Sequence, residues 1–449
     1  MIDSRRRSVQ TLQATARIPA VTVAVRRNDR PLWTCEIGES GTPTPLSAES
    51  RLRIGSVTKT FTAVLVLQAR DAGLLDLDDP IGKHLGLPLH GELTVRRLLS
   101  HTSGLQREPH GDVWDTLAVP GLERFLADVA DAEALYPQSR RFHYSNLAYA
   151  LLGQLVAKLH DATWAELLAD KIAKPLGFVR TGPERDELST LGYLVDPYSD
   201  HARVEPPTDF GVFGPAAQLW STAAEMATWG AFLADPASID PAGRVLAAAT
   251  LEEMRWPLTP RDEAVWTSSL GLGLMVWPRA ERVLHVGHSG AMPGFLAQVC
   301  GRTGGPGNPG GVGAAVLAAS GTADAIFPFL HELIDQALRD DPMDIAPWTP
   351  AAPAPDGLRT VLGRWWGEGS EYVFRWERGH LCARGAEESP DAPAAVFAPT
   401  DEPDVLRGIS GREVGEKLRL HRDAAGVVTR MHWATYRFTR HQETFDGQP

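Results

Sequence analysis

The segment Arg53-Ile54-Gly55-Ser56-Val57-Thr58-Lys59 places a hydroxyl and an amine three residues apart at the start of an apolar stretch running to Leu75. On a helix, residues at this spacing share a face one turn apart, so the Lys59 amine can reach the Ser56 hydroxyl. Lysine, unlike arginine, loses its proton when desolvated and then serves as a base. The lysines are Lys59, Lys83, Lys158, Lys171, Lys174 and Lys417, and of these only Lys59 follows a serine at that spacing. The pair suits an activated nucleophile; the competing reading is a lysine that snorkels out of the helix.

Two further segments carry groups able to move protons. In Arg141 to Val156, RFHYSNLAYALLGQLV, Tyr144 and Asn146 precede a long amphipathic pattern. Asn146 reads first as an N-cap, and Tyr144 as either a packed aromatic or a phenol that passes protons. In Val283 to Phe295, VLHVGHSGAMPGF, a strand pattern runs into glycines. His285 and His288 are an odd number of residues apart, so a strand turns them to opposite faces and they do not form a joint metal site. The glycine turn after His288 favours His288 as the functional one, with Gly290 allowing close approach to the backbone.

The elements that must position these groups follow from periodicity. Helical patterns cover Ser56 to Ala72 (ending at Gly73), Asn146 to Leu159, Thr163 to Ile172 and Thr222 to Leu233. Strand patterns are AVTVAVRR and LWTCEIG near the start, then GLGLMVWP, ERVLHVGH, FLAQVC and VGAAVLAAS. Strands at both ends with helices between predict an α+β domain: an antiparallel sheet completed by distant parts of the chain, flanked by helices and carrying an inserted helical region. The Pro/Ala-rich stretch around DDPMDIAPWTPAAPAPDG reads as a linker, and the short alternating segments after it as a small all-β domain of up-and-down barrel, lipocalin-like type. The expected division is a catalytic domain over 1–340, a linker over 341–357 and a β-domain over 358–449. Glycine-rich Gly301 to Gly313 lacks the lysine and Ser/Thr of a P-loop and reads as a hairpin loop.

Bulk properties narrow the class. The chain has 449 residues, 43% hydrophobic and 22% charged, with a net charge of −12 and no basic block, which argues against nucleic acid as a partner. No apolar run approaches the roughly 18 residues of a membrane span, and no signal peptide is evident at the start. Cys35, Cys300 and Cys382 are scattered and odd in number, as expected for thiols in a reducing compartment, so a cytoplasmic location is expected.

Taken in order, Ser56-x-x-Lys59, Tyr144-x-Asn146 and His288-x-Gly290 resemble the motifs of the serine beta-lactamase and penicillin-binding-protein superfamily, nearest its class C beta-lactamase-like branch. Leu93 to Leu105 (LTVRRLLSHTSGL), Lys171 to Thr181 and Gly214 to Trp229 also resemble that branch, so the likeness spans Ile18 to Ile334. The resemblance implies a beta-lactamase/transpeptidase-like fold in which Ser56 attacks a carbonyl and Lys59 and Tyr144 handle its proton. It further implies that His288 belongs to the catalytic set, that Asn146 holds Lys59 and the substrate amide, and that the N–H groups of Ser56 and Ala291 form an oxyanion hole beside Gly290. A helix N-terminus at Ser56 agrees with that role.

Relatives acting on beta-lactams usually carry Lys-Thr-Gly or Lys-Ser-Gly where this chain has His288-Ser289-Gly290. A mostly neutral imidazole pairs weakly with a carboxylate, so efficient beta-lactam hydrolysis is not expected. The pattern is similar to that of D-stereospecific aminopeptidases, esterases and peptide-releasing thioesterases, which often carry an extra β-domain. The expectation is therefore a metal-independent serine hydrolase without cofactors, acting through an acyl-enzyme on a small ester or amide or a peptide. A thioesterase-type peptide cyclase, a beta-lactamase and a non-catalytic acyl-binding sensor are the alternatives. Arg437 and Arg440 on the last strand are either carboxylate clamps or solvated edge charges.

Overall fold

The computed structural model describes residues 4–442 apart from 88, 109–115, 117, 262–263, 280–282, 305–309, 343, 345–346, 351 and 390–391. The chain divides into two compact units, residues 1–343 and 344–449.

The first unit is built on an antiparallel sheet whose strands come from both ends of that unit. Strands β1 (Ala20–Arg27) and β2 (Arg30–Gly38) lie beside β6 (Val312–Ala318), followed by β5 (Phe295–Arg302), β4 (Leu284–Met292) and β3 (Met275–Pro278); the short strands Ser269–Leu270 and Thr259–Pro260 complete the edge. The closure is the pairing of Val21 with Ala318 and of Arg26 with Gly313. β5 and β6 pair as far as Arg302 and Val312, so the glycine-rich segment joins neighbouring antiparallel strands; its residues 305–309 lie outside the described residues.

One face of the sheet packs against the helices α1 (Ser4–Thr15) and α5 (Ile326–Asp340), through Val9, Leu12, Leu330, Leu333 and Ile334. The other face carries the larger core, with α2 (Thr58–Asp71), α3 (Asn146–His160) and α4 (Ala223–Ala234). The chemistry-bearing helix α2 is buried on nearly every side, including Thr58, Thr60 and Thr62. Burial of hydroxyls is tolerated because each is paired. Thr60 accepts from Trp229 Nε1 at 2.7 Å, Thr62 donates to the Pro215 carbonyl at 2.7 Å, and Thr58 accepts from the Leu219 N–H at 3.2 Å.

Several local expectations shift by a few residues. Ser56 belongs to a 3-10 turn, Gly55–Val57, that leads into α2, so the nucleophile candidate precedes the α-helix proper. Asn146 is not the N-cap of α3: Ser145 is, its hydroxyl accepting from the Ala148 N–H at 3.0 Å. The stretch from Thr163 divides into α-helix Trp164–Leu168 and a π-helical turn Ala169–Ala173. Helices α1 and α5 lie outside the patterns identified from sequence.

The second unit is a closed antiparallel barrel of eight strands from Gly363–Gly367 to Tyr436–Thr439, sealed by pairing of Trp366 with Thr439 and Gly367 with Phe438. Its interior is filled by Trp365, Phe374, Phe397, Met431, Trp433 and Phe438, which pack as a buried core. The helix Asp356–Arg359 occupies the end of the expected linker. Arg440 is a structural strut: it donates to the carbonyls of Leu362 (3.2 Å) and Arg364 (2.9 Å), and its guanidinium lies 3.8 Å over the Trp365 ring. Those bonds use both Nη1 donors, and Nη2 donates to the Thr360 carbonyl, so the guanidinium is tied to its own barrel.

Among the described residues, no helix is long and apolar enough to cross a membrane. None of the three cysteines forms a disulfide, and all three are buried.

Candidate active site

The Ser56 turn is held from both sides. Upstream, Leu52 and Arg53 pair with Ser221 and Trp220, and the Ile54 N–H donates to the Leu219 carbonyl at 3.0 Å. On the other side lies β4, which pairs with β3 only over Leu284 to Gly287 and then presents its edge to the turn. The approach is backbone to backbone: a Cβ on Gly55, whose φ is +51°, would stand 2.7 Å from the Ala291 nitrogen, and one on Gly290 would stand 1.9 Å from the Ile54 carbonyl oxygen. Gly290 is thus required by the chain's own Ser56 turn, where the sequence suggested an approaching substrate. Gly290→Ala should lower kcat/KM on an activated ester by about 100-fold or more, on the scale of a lost oxyanion donor. An unchanged rate with an intact circular-dichroism spectrum would contradict this packing.

Lys59 is fully buried. Its Nζ lies 3.0 Å from Ser56 Oγ, 2.7 Å from Asn146 Oδ1 and 2.8 Å from the Ala216 carbonyl oxygen. Burial drives its pKa well below the usual lysine value, Glu108 pulls it back up, and Arg107 lowers it further. In the neutral amine the lone pair faces the Ser56 hydroxyl, the arrangement a general base needs. Asn146, freed from capping, bridges the amine and a carboxylate: its Oδ1 accepts from Lys59 while its Nδ2 donates to Glu108 Oε1 at 2.5 Å.

Glu108→Gln keeps an acceptor for Asn146 but removes the carboxylate that raises the Lys59 pKa. The rising limb of the pH–rate profile should therefore move to lower pH. A limb that stays in place or moves up would separate Glu108 from the amine.

Tyr144 completes the cluster: it lines the same cavity as Ser56, and the Lys59 amine lies 4.9 Å from the centre of its ring. Burial raises the phenol's pKa above its ordinary value, so it holds its proton at neutral pH. The ring is fixed from below by His101, stacked at 4.3 Å, whose Nδ1 accepts from the Ser145 N–H at 3.1 Å. His101 is fully buried, and burial keeps its pKa well below the usual imidazole value.

His288 turns toward the same side, 6.2 Å from Tyr144 between ring centroids, while His285 faces α5. Its Nδ1 donates to the Ser289 carbonyl at 2.5 Å, which leaves Nε2 unprotonated in the neutral ring. Burial, reinforced by Lys59, lowers its pKa to about 3. The interior groups Lys59, Tyr144, His101 and His288 thus favour their neutral forms at working pH.

A cavity of about 370 Å³ opens over these residues. Ser56, Tyr144, Asn146, Gly290 and Ala291 line it; Lys59 and His288 are not on its wall but stand buried behind it. The structure therefore gathers all seven residues anticipated from sequence, with His288 one layer back from any substrate. Sequence reading missed Arg107, Glu108 and Arg261, which carry charge on the wall, and Phe142, Phe210 and Phe213, which make it apolar. Two guanidinium groups on the wall supply cations that the His288 substitution had suggested were lacking. Arg107 and Glu108 directly follow the LSHTSGLQ run, and that adjacency was the available signal.

Comparison with known proteins agrees with this geometry. A family profile described as Beta-lactamase matches residues 5–339, and a domain of unknown function, DUF7586, matches residues 354–440. Penicillin-binding protein 4 of Amycolatopsis lactamdurans is 30% identical over 73% of this chain and 88% of its own length. Beta-lactamase-like protein 2 of Dictyostelium discoideum is 30% identical over 48% of this chain, which covers 40% of that protein. Among solved structures, SurE superposes over 97% of this chain and 99% of its own with a TM-score of 0.61 at 23% identity. A D-stereospecific amidohydrolase from Streptomyces sp. covers 74% of this chain, and 98% of its own is matched, with a TM-score of 0.57 at 25% identity. The chain belongs to the beta-lactamase family, with the fold shared by serine beta-lactamases and penicillin-binding proteins.

Proposed function

We propose that the protein is a serine hydrolase that cleaves an ester or amide through an acyl-enzyme, with D-aminoacyl amides and small esters as its substrate class. The observation that carries this reading is the placement of Ser56 Oγ 3.0 Å from a buried amine, on a cavity wall that it shares with the Tyr144 phenol. Lys59 takes the Ser56 proton as the hydroxyl attacks the carbonyl carbon, and Tyr144, which holds its proton, delivers one to the leaving group. The N–H groups of Ser56 and Ala291 receive the developing oxyanion; in deacylation the Tyr144 phenolate takes a proton from the attacking water and Lys59 returns its proton to Ser56 as the acid leaves. His288 acts on Tyr144 from behind the wall as a positioning residue.

The apolar wall suits an acyl group with a hydrophobic side chain, and Glu108 offers a carboxylate to a free amine. The likeness to a D-stereospecific amidohydrolase supports the stereochemical choice. The test is a panel of short esters, D- and L-phenylalanine amides and a chromogenic cephalosporin against wild type and Ser56→Ala. Turnover of the D-amide or ester with little on the cephalosporin is expected; no acylation by any member or by a fluorophosphonate would overturn the proposal. If amines compete with water for the acyl group in product analysis, the cyclase reading replaces hydrolysis.

A further inference from the structure

Across the sheet from the Ser56 core, three donor side chains from three elements converge under α5. His285 on β4 and Cys300 on β5 share one face, because His285 pairs with Arg302 and Gly287 with Cys300. His331 comes down from α5 onto the same spot. The His285 and His331 Nδ1 atoms are 2.8 Å apart, Cys300 Sγ is 3.8 Å from His331 Nδ1, and all three donors lie within 4.8 Å of one another. His285 and Cys300 are fully buried, whereas His331 is half-buried and gives the cluster an approach from solvent. Trp277 packs edgewise on the His331 ring at 4.9 Å, fixing its orientation.

We propose that His285, Cys300 and His331 form a three-coordinate site for a soft closed-shell metal ion, Cu(I) in preference to Zn(II), pinning α5 to the sheet. A thiolate with two imidazole nitrogens is a ligand set for such ions. With metal–nitrogen bonds of about 2.0 Å and a metal–sulfur bond of about 2.3 Å, the His331–Cys300 edge of 3.8 Å already fits, the His285–Cys300 edge lies within 4.8 Å, and the two nitrogens need to part by roughly half an ångström. A shared proton between the imidazoles accounts for the 2.8 Å contact alone; it leaves the convergence of the thiol unexplained.

Charge selects the ion. Arg279 Nε donates to His285 Nδ1 at 3.3 Å, a long bond the metal would displace, and Arg302 lies opposite His285 on β5, with Asp335 one turn beyond His331 on α5. Binding exchanges the Cys300 proton for the ion; the proton passes to solvent and no electron moves. Cu(I) then forms a neutral centre, whereas Zn(II) would leave a positive charge in a dry pocket beside two arginines.

The experiment uses the full chain, reduced and stripped of metal, titrated anaerobically with Cu(I) against a chromogenic chelator and separately with Zn(II). One Cu(I) per chain is expected, with binding at least about 100-fold weaker in Cys300→Ser and in His331→Gln and unchanged in Cys382→Ser. Failure of the wild type to bind either ion, or full retention of binding by Cys300→Ser, would overturn the site; tighter Zn(II) than Cu(I) would overturn the choice of ion. Should a variant fail to fold, X-ray absorption on copper-loaded wild type decides: a mixed sulfur and nitrogen shell supports the site, and a shell without sulfur overturns it.

Discussion

Ser56→Ala should abolish burst-phase acylation and lower kcat by about 10⁴-fold or more, leaving the fold and substrate affinity largely intact. The side chain is small and lies at the cavity wall, so its loss opens little space in the core. What disappears is the only nucleophile within reach of the Lys59 amine among the described residues, since its other partners are the Asn146 and Ala216 oxygens, neither of which can be acylated. Residual turnover would come from water attacking a carbonyl still polarised by the N–H groups. Intact-protein mass spectrometry after an activated ester checks the prediction: wild type gains the acyl mass and loses it, while the variant never gains it. Acylation of the variant at wild-type rate would place the nucleophile elsewhere.

The second large effect concerns the proposed base. Lys59→Arg should lower kcat/KM by about 10³-fold and remove the rising limb of the pH–rate profile. The sign follows from burial. Desolvation favours the uncharged amine, so its pKa falls well below the ordinary lysine value. As pH rises through that lowered pKa the amine loses its proton and activity climbs, reaching its plateau at lower pH than an exposed lysine would allow. A guanidinium stays protonated throughout and is also larger than the site that Lys59 fills. Lys59→Ala should lose comparable activity, and added primary amines should partly restore it in order of their basicity. A Lys59→Arg enzyme retaining the wild-type profile would transfer the base role to Tyr144.

Much of this site was legible because its geometry is local. Ser56 and Lys59 lie one turn apart, and the helical period brings their polar atoms together in any context that keeps the turn. The two-residue period of a strand likewise separates His285 from His288, and in the structure one faces α5 and the other Tyr144. β1 was legible to the residue because AVTVAVRR is apolar and β-branched between clear breaks. Other features were misread for an equally local reason. Asn146 and Ser145 are both good caps, and sequence alone does not say which is free to turn its side chain to Lys59. Helix α1, polar and arginine-rich, buries little beyond Val9 and Leu12, so its periodicity is faint.

The amino-acid sequence by itself determined the order of the motifs, the sheet drawn from both ends of the first unit, the barrel-like alternation after residue 357, and the pairing of hydroxyl with amine. Each depends on spacings of a few residues, which backbone geometry converts directly into shared faces. Only the tertiary structure decided that the Ala216 carbonyl caps the amine, that His288 stands behind the wall, that Glu108 and Arg107 set the field around Lys59, and that Cys300 and His331 meet His285. Those contacts join residues tens to hundreds of positions apart, and their energies come from burial. Desolvation has no signature in the chain until the fold excludes the water.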